Sequence, residues 1–309
     1  MKMKKCLLYL GNGFDVAHGF KTRYTDFYEN KLVDLQIGAK NGNLLFQHIL
    51  DNIKGEYWKD LENGLFEYSK ELTKRGRGNT ESAKQFEEEF VELKKLLFGY
   101  FQNPLEDRKK SSGYAIKELS DEWQKFDCHV ISFNYTHIAA AYTTDSNNHN
   151  SGLSFAPKVI TYQHGVILNP DPCRSNTYEN IVVGIDESQK VEPLHSFLYK
   201  TSQHLSNIHQ LMERVQDATV FIIYGCSMGD SDRFYFKNIF DKRKKNKRYI
   251  VYGYGEEEIK KLKSTIREYT EGLSEFQDDS HNNEIRIIDS KNATKAIKET
   301  KDYVESILF

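Results

Sequence analysis

The chain contains short, continuously apolar runs that end in glycine or small polar residues, and each run predicts a β-strand. The runs cover residues 6–10, 129–133, 159–162, 181–184, 220–225, 249–253 and 285–289. Apolar and polar residues do not alternate along them, a pattern typical of strands that are buried on both faces of a parallel sheet. The pattern therefore predicts a sheet that is covered on both sides.

Amphipathic segments separate the later runs. Over residues 205–218 and 256–269, apolar residues recur every three or four positions, which is typical of a helix with one buried face. Strands that alternate with such helices indicate an α/β fold. We predict a doubly wound, mostly parallel, Rossmann-like sheet.

Residues 22–126 contain no clear strand. Their most distinct helix, over 82–101, has one apolar stripe and begins at a capping box formed by Ser82 and Gln85. We predict a helical insertion subdomain over 22–126, packed over the carboxyl edge of the sheet. Residues 1–21 and 127–309 would then form the nucleotide-binding domain.

Charge and composition limit the classes of partner. The 309 residues carry a net charge of -2, so no bulk charge attracts nucleic acid or an anionic membrane. The basic run at 242–248 is interpreted as a solvated helix end, and we expect no nucleic-acid partner. The four cysteines show no C-x-x-C spacing, so we expect no metal site. No apolar segment is long enough to span a membrane, and we expect a cytoplasmic protein.

The first predicted strand ends in the turn Gly11-Asn12-Gly13, followed by Phe14 and Asp15. Glycines in such a turn let backbone N–H groups approach a phosphate, although the same turn also serves as a tight connection. Asp15 is either a helix cap or a residue that faces the ligand. The spacing does not match the dinucleotide fingerprint G-x-G-x-x-G.

Two further strand ends carry candidate side chains. Asn134, in SFNYTH, follows the second run, where an amide side chain binds ribose hydroxyls or forms a local turn. His164, in YQHGVI, follows the third run, and histidine suits a general base or a packed structural role.

The strand at 220–225 ends in Gly225-Cys226-Ser227 and then reaches two acids, Asp230 and Asp232. Ser227 offers a hydroxyl and backbone groups to a ligand. The two aspartates either hold a sugar hydroxyl or cap a helix. Because parallel strands end at one edge of a sheet, we expect all four strand ends to form one site.

The chain resembles the AbiH-like proteins of bacteriophage abortive infection. The resemblance lies in GNGFDVAHGFKTRYTDF at 11–27, WKDLE at 58–62, SFNYT at 132–136, QHG at 163–165, VVGID at 182–186 and YGCSMGDSDRFYF at 224–236. The same succession of motifs is remotely similar to the sirtuin-type NAD-binding fold. It departs from sirtuin deacylases because the cysteines cannot supply their four-cysteine zinc module, and because Asp15 stands where those proteins usually have serine.

This second resemblance implies roles for the candidate residues. The turn Gly11-Asn12-Gly13, with Phe14, would meet the NAD pyrophosphate. Asn134 would hold the nicotinamide ribose and orient water, and His164 would be the base. Gly225 and Ser227 would line the adenosine side of the ligand, and Asp230 and Asp232 are further candidate binding residues.

The resemblance implies that NAD is a substrate, hydrolysed to nicotinamide and ADP-ribose, with no further cofactor. Asp15 would stabilise the positive sugar formed when nicotinamide leaves. The alternative is a sensor that binds a nucleotide without catalysis and signals through the helical insertion. Within WKDLE, Trp58 and Leu61 are predicted to pack the insertion onto the sheet, whereas Asp60 and Glu62 are left open, as is homo-oligomerisation.

Overall fold

The computed structural model describes most of the chain. The described residues are 3–55, 60–76, 79–102, 113–136, 153–155, 157, 159–165, 177–203, 206–240, 245–270, 277–278 and 283–309.

One sheet of seven strands lies at the centre of these residues, in the order β3-β2-β1-β4-β5-β7-β6. The strands are β1 Lys5–Leu10, β2 Asp127–Ser132, β3 Ile160–Tyr162, β4 Val220–Tyr224, β5 Arg248–Gly253, β6 Gln277–Asp278 and β7 Asn283–Asp289. All pairs are parallel except β6 with β7. Along the chain, β2 and β3 follow in turn on one side of β1, and β4 then lies on the other side of β1. The predicted doubly wound, mostly parallel α/β fold is confirmed.

Helices cover both faces of the sheet and extend beyond it. They are α1 Asn12–Ala17, α2 Tyr24–Asn30, α3 Leu32–Lys40, α4 Leu44–Asn52, α5 Leu61–Lys74, α6 Thr80–Phe101, α7 Gly113–Trp123, α8 Lys200–Gln203, α9 Ser206–Asp217, α10 Arg233–Ile239, α11 Glu256–Tyr269 and α12 Ala293–Leu308. Short 3₁₀ turns occupy Tyr178–Asn180, Pro193–Leu198 and Asp230–Asp232.

The sheet has a separate apolar core on each face, which explains the continuously apolar strands. On one face, Leu8 and Ile222 pack with Trp123 of α7 and Val304 of α12. On the other face, β1 and its neighbours pack with α9, α10 and α11. Successive side chains of a strand point to opposite faces, so a strand that contributes to both cores has few positions that face solvent.

A third core lies among α2 to α6. The run at 181–184, predicted as a strand, is not one: Ile181 and Val183 pack into this core. Among the described residues, this segment and the next residue pair through single bridges, from Ile181 to Gly165 and from Ile185 to Tyr199. Continuous burial, rather than pairing within the sheet, explains why the run is apolar. Leu61 is fully buried in the same core, among helices and not against the sheet as predicted, and Trp58 lies outside the described residues.

The start of α6 also differs from the prediction. The helix begins at Thr80, and the side chain of Asn79 accepts a hydrogen bond from the Ser82 N–H at 2.9 Å. Asn79 is therefore the N-cap, because asparagine also satisfies a free N–H of the first turn. Gln85, predicted to complete a capping box, donates to Glu89 one turn later instead.

Candidate functional site

A cavity of about 1360 Å³ opens at the carboxyl ends of the strands. It includes the point between β1 and β4 where the strand order reverses, the usual ligand site of such sheets. Its volume exceeds the range of about 300–1,000 Å³ that is usual for small-molecule pockets. The structure brings nearly all the predicted site residues to it; those that line the wall are Gly11, Asn12, Gly13, Asp15, Asn134, His164, Gly225, Ser227, Asp230 and Asp232.

The glycine turns after β1 and β4 pack directly against each other. A Cβ atom on Gly13 would lie 2.6 Å from the Gly225 Cα, and Gly225 itself has a φ of 67°. The Gly11 N–H donates to the Tyr224 carbonyl at 3.0 Å, and the Gly13 N–H donates to the Gly225 carbonyl at 2.9 Å. These glycines therefore permit close contact between two loops. That their amides bind phosphate stays a prediction, and those two N–H groups already have acceptors.

Asn12 and Phe14 lie in different environments. Asn12 is exposed at the cavity, and its side-chain oxygen accepts a hydrogen bond from the Thr22 hydroxyl. Phe14 is 1% exposed, is not part of the cavity wall, and packs against His18 with ring centroids 4.3 Å apart. Phe14 therefore supports α1 from within the core.

Asp15 lies at the centre of a cluster of uncharged hydrogen-bond donors. Its carboxylate accepts from the Asn134 Nδ2 at 3.1 Å and from the Thr136 hydroxyl at 2.6 Å. Burial raises the pKa of Asp15 to about 7, although both hydrogen bonds act to lower it. No side-chain cap of α1 is present. Asp15 therefore supplies a carboxyl group that changes charge near neutral pH.

The other end of the Asn134 amide has no hydrogen-bond partner. Its Oδ1 atom is buried without a donor in the described part of the chain, while its backbone N–H is held by the Ser132 hydroxyl at 3.1 Å. Buried carbonyl oxygens are normally satisfied. The free acceptor is consistent with a site for water or a ligand hydroxyl.

His164 lies in a second cluster, which is charged. Its Nε2 atom lies 3.0 Å from the Asp232 Oδ1 and 3.2 Å from the Lys200 Nζ. Lys200 also donates to the Asp232 Oδ1 at 2.7 Å and to Glu62 at 3.1 Å. Burial would raise the pKa of Asp232, but the charge of Lys200 lowers it well below its usual range. Asp232 therefore forms an ion pair and makes no side-chain cap of α10, and its contact with a sugar hydroxyl stays a prediction.

Sequence reasoning missed Lys200 altogether. It follows the apolar residues Leu198 and Tyr199, and nothing in that context marks it as a buried cation. Its side chain is 4% exposed, and its pKa is held far above the usual range because Asp232 and Glu62 outweigh the effect of burial. Its two carboxylate partners gave an indirect indication, because acidic side chains that become buried require a positive charge or hydrogen-bond donors nearby.

Both acids left open in WKDLE reach the cavity. The Asp60 side chain caps α5 by accepting from the Glu62 and Asn63 N–H groups. Burial, followed by the charge of Glu62, raises the pKa of Asp60 to about 6. The start of α5 thus brings the helical subdomain into the site.

The remaining predicted residues lie toward solvent. Ser227 is exposed on the cavity wall, and the Asp230 side chain is 73% exposed and 3.7 Å from Arg233. Between them, the Met228 backbone has a φ of 51°, and its carbonyl accepts from the Tyr269 hydroxyl at 2.8 Å. This hydrogen bond fixes the loop that leads to Asp232.

The cavity wall is more acidic than basic. Within the described part of the chain, its carboxylates are Asp15, Asp26, Asp60, Glu62, Asp230, Asp232, Glu258 and Glu268, and its cations are Lys21, Arg23, Lys261 and Lys291. Such a wall favours a ligand that carries or develops positive charge. No group of three or more potential metal ligands occurs among the described residues.

A family model, bacteriophage abortive infection AbiH, matches residues 7–254. The chain belongs to the AbiH family. This match contains the whole cavity edge from β1 to β5 and both clusters around Asp15 and His164, so the AbiH assignment covers the candidate site. It gives the protein a role in bacteriophage abortive infection. A comparison with the curated proteins found no match.

In the part of this AbiH protein that the structure describes, no helix combines the length and apolar character that crossing a membrane requires. The basic run at 242–248 falls partly outside the described residues, and its described end leads into β5. The interpretation of that run as a solvated helix end stays a prediction.

Proposed function

We propose that this AbiH protein acts in abortive infection by hydrolysing NAD to nicotinamide and ADP-ribose. The observation that carries the proposal is the pairing of Asp15 with Asn134. A buried carboxyl group with a pKa of about 7 accepts a hydrogen bond from an amide whose oxygen is free, at the switch point of a doubly wound sheet.

The chemistry needs only a few groups from the protein. The bond between ribose C1′ and the pyridinium nitrogen breaks, and nicotinamide leaves as a neutral molecule, so no general acid is needed, in contrast to ordinary glycoside hydrolysis. The oxygen of water then bonds to C1′, and the proton of that water must go to a base. The acidic wall stabilises the positive ribosyl group.

In this proposal two side chains share these tasks. The free Oδ1 of Asn134 accepts a hydrogen bond from water or from a ribose hydroxyl. The Asp15 carboxylate accepts the proton, and a pKa near the working pH is what a general base requires. Because Asp15 is partly neutral near pH 7, it also repels a nearby pyrophosphate less than a fully ionised aspartate would.

A second candidate function is a nucleotide sensor without catalysis. It is favoured by Glu62, which belongs to the helical subdomain, lines the cavity and contacts the buried Lys200 at 3.0 Å. A ligand at this wall would act on α5 directly. The sensor predicts binding of the nucleotide without product.

Nicotinamide release separates the two functions. The full chain is incubated with NAD, release is followed by chromatography, and binding is followed by calorimetry. We expect release that falls about 10²–10⁴-fold in Asn134→Ala, the range usual for loss of a positioned catalytic group. Asn52→Ala, on an exposed position of α4, is the matched control and should keep full activity.

Four outcomes are informative. Release that is lost in Asn134→Ala, with an unchanged unfolding midpoint, supports hydrolysis at this site. Saturable binding without release favours the sensor. Neither binding nor release would contradict NAD as the ligand, and an Asn134→Ala variant with wild-type release would contradict the site.

A further inference from the structure

The backbone amides of the glycine turn after β1 are already used within the protein. The Gly11 N–H donates to the Tyr224 carbonyl at 3.0 Å, and the Gly13 N–H donates to the Gly225 carbonyl at 2.9 Å. The next amide, that of Phe14, donates back to the Gly11 carbonyl at 2.9 Å. The net charge of the chain is -2, so an anion at this turn needs a local source of positive charge.

The basic side chains near the cavity fall into two classes. Lys200 is buried between Glu62 and Asp232, and Arg233 pairs with Glu268, so carboxylates already neutralise these two. The cations of the cavity wall are Lys21, Arg23, Lys261 and Lys291, and none of them forms an ion pair within the described part of the chain. These four cations form two pairs, so an anionic ligand group has two candidate positions.

Lys21 and Arg23 belong to a segment that is held against the glycine turn. Between them, Thr22 is 6% exposed, and its hydroxyl donates to the side-chain oxygen of Asn12 in that turn. The Tyr100 hydroxyl fixes the same segment from the helical subdomain by donating to the Lys21 carbonyl at 2.6 Å. Lys21 and Arg23 are exposed at the cavity, whereas Thr22 is buried. The two cationic side chains therefore flank the turn from a fixed backbone.

The spacing of Lys21 and Arg23 fits two linked phosphate groups. The backbone at Arg23 is extended, with a φ of -72° and a ψ of 150°, and two steps along an extended chain span roughly 6.6 Å. A guanidinium group binds a phosphate through two parallel N–H bonds, and an ammonium group adds a point charge. The Asp26 carboxylate accepts from the Arg23 backbone N–H at 3.0 Å, a contact that does not use the guanidinium group.

The other pair is more distant from the reacting end of the cavity. Lys291 follows β7, which is three strands from β1, a separation of roughly 14 Å at the usual strand spacing. Lys261 belongs to α11, which begins with three glutamates, and one of these, Glu258, lines the wall. In contrast, the segment of the first pair begins at Phe20, whose N–H donates to the Asp15 carbonyl at 3.0 Å.

We infer that Lys21 and Arg23 form an anion site for the diphosphate of a dinucleotide, which packs against the glycine turn. The sequence predicted that backbone amides of the turn would bind this group, whereas here two cationic side chains supply the charge. A ribose at Asn134 is joined to the diphosphate through its 5′ oxygen, so both contacts are needed near β1. The choice of NAD as the dinucleotide rests on the proposed function, but the anion site does not.

The test is calorimetry of the full chain with ADP, inorganic pyrophosphate and NAD. Lys21→Gln/Arg23→Gln removes two positive charges beside the glycine turn, and Lys261→Gln/Lys291→Gln, the matched control, removes two from the same wall. All four positions are exposed, so the unfolding midpoints should not change. We expect the first variant to bind ADP at least about tenfold more weakly, the usual effect of losing a hydrogen bond to a charged group. The control should lose less than about threefold, because salt screens exposed charges at that distance.

A second readout compares two substrates that share the bond to be broken. Nicotinamide riboside has the same bond between ribose and the pyridinium nitrogen as NAD, but it has no phosphate. We expect Lys21→Gln/Arg23→Gln to lower the ratio of kcat/KM for NAD to that for nicotinamide riboside at least about tenfold, through a higher KM for NAD.

The outcomes separate the anion site from the proposed function. No binding of ADP or pyrophosphate to the wild type, or a loss of ADP binding no greater than in the control, would overturn the anion site. If ADP binding depends on Lys21 and Arg23 but NAD is not cleaved, the proposed hydrolysis fails and the anion site stands. If NAD is cleaved and the substrate ratio does not change, the anion site fails alone.

Discussion

Asp15 and Asp232 line the same cavity, and both are largely removed from water, but the pKa of Asp15 is raised on folding whereas that of Asp232 is lowered. Burial acts on both in the same direction, toward a higher pKa. Asp15 has two uncharged donors and a pKa of about 7. Asp232 has the Lys200 ammonium at 2.7 Å, which holds its pKa well below the usual range.

The comparison shows that a buried cation, more than the number of hydrogen bonds, decides the charge of a buried carboxyl group. Hydrogen bonds from Thr136 and Asn134 stabilise the Asp15 carboxylate without replacing the hydration lost on burial. The two ends of the cavity are therefore suited to different tasks. A group that exchanges protons lies at Asp15, and a fixed ion pair that joins the helical subdomain to the sheet lies at Asp232.

Removing the cation should have the largest effect. We expect Lys200→Met to lower the free energy of unfolding by about 3–5 kcal/mol, because Glu62 and Asp232 would remain buried without compensation. Urea unfolding at pH 8 measures the change. The pKa of Asp232 should rise at the same time, so that this end of the cavity becomes like the Asp15 end. A loss below about 1 kcal/mol would mean that the ion pair is hydrated and that the comparison fails.

The pH dependence of the free energy of unfolding should reveal the titration of the Asp15 carboxyl group. Its pKa rises from 3.8 to about 7 on folding, so the folded state holds a proton that the unfolded state has lost between these values. The protonated Asp15 carboxyl group makes its full contribution to the free energy of unfolding below pH 4. This contribution, about 4 kcal/mol in total, is lost as the pH rises to 7. Asp15→Asn should abolish this pH-dependent loss, so that at pH 8 the variant has a higher free energy of unfolding than the wild type.

Unfolding midpoints from pH 4 to 8 test this prediction. Parallel curves for the wild type and Asp15→Asn would show that the carboxyl group titrates normally, in contradiction to its burial. Asp232 gives the opposite sign, since its pKa falls on folding and its contribution is lost only as the medium becomes acidic.

Thr136→Val should give a smaller and more specific effect. The Thr136 hydroxyl bonds to the Asp15 carboxylate at 2.6 Å, and hydrogen bonds to charged groups contribute about 1.5–3 kcal/mol. Its loss should therefore raise the pKa of Asp15 by about 1–2 units. The carboxyl ¹³C titration measures this shift directly, and the pH profile of NAD cleavage should move with it. Thr73→Val, at an exposed position of α5, is the matched control.

The fold and the site differed in how far the sequence could predict them. Continuous apolar runs and helical spacing were enough for the sheet, because burial on two faces leaves a direct pattern. The run at 181–184 failed because burial in the third core leaves the same pattern as burial in a sheet. Strand ends located Asp15, Asn134 and His164 because parallel strands share an edge.

The sequence did not predict the partners of these residues. Lys200 is 36 residues from His164 and 138 from Glu62 along the chain, and no local pattern links them. A buried lysine in sequence looks like any other lysine, since its burial depends on carboxylates that the tertiary fold brings to it. For the same reason, sequence alone left Asp232 as either a helix cap or a contact to a sugar hydroxyl, and could not distinguish a titrating carboxyl group from an ion-paired one.

Asp60 is the intermediate case and should show the smallest effect. Its pKa rises to about 6 through burial and the charge of Glu62, while Lys200 lowers it from a distance. Asp60→Asn keeps an oxygen that caps α5, and asparagine is as good an N-cap as aspartate. We expect little change in unfolding free energy at pH 4 and a gain at pH 8, where the wild-type carboxylate is charged. The full pKa shift corresponds to about 3 kcal/mol, and because Asp60 is only half-buried, contact with water reduces the expected gain to about 1–2 kcal/mol. A loss at pH 8 would mean that ionised Asp60 is stabilised by Lys200, so that a buried cation controls carboxyl groups beyond those it contacts.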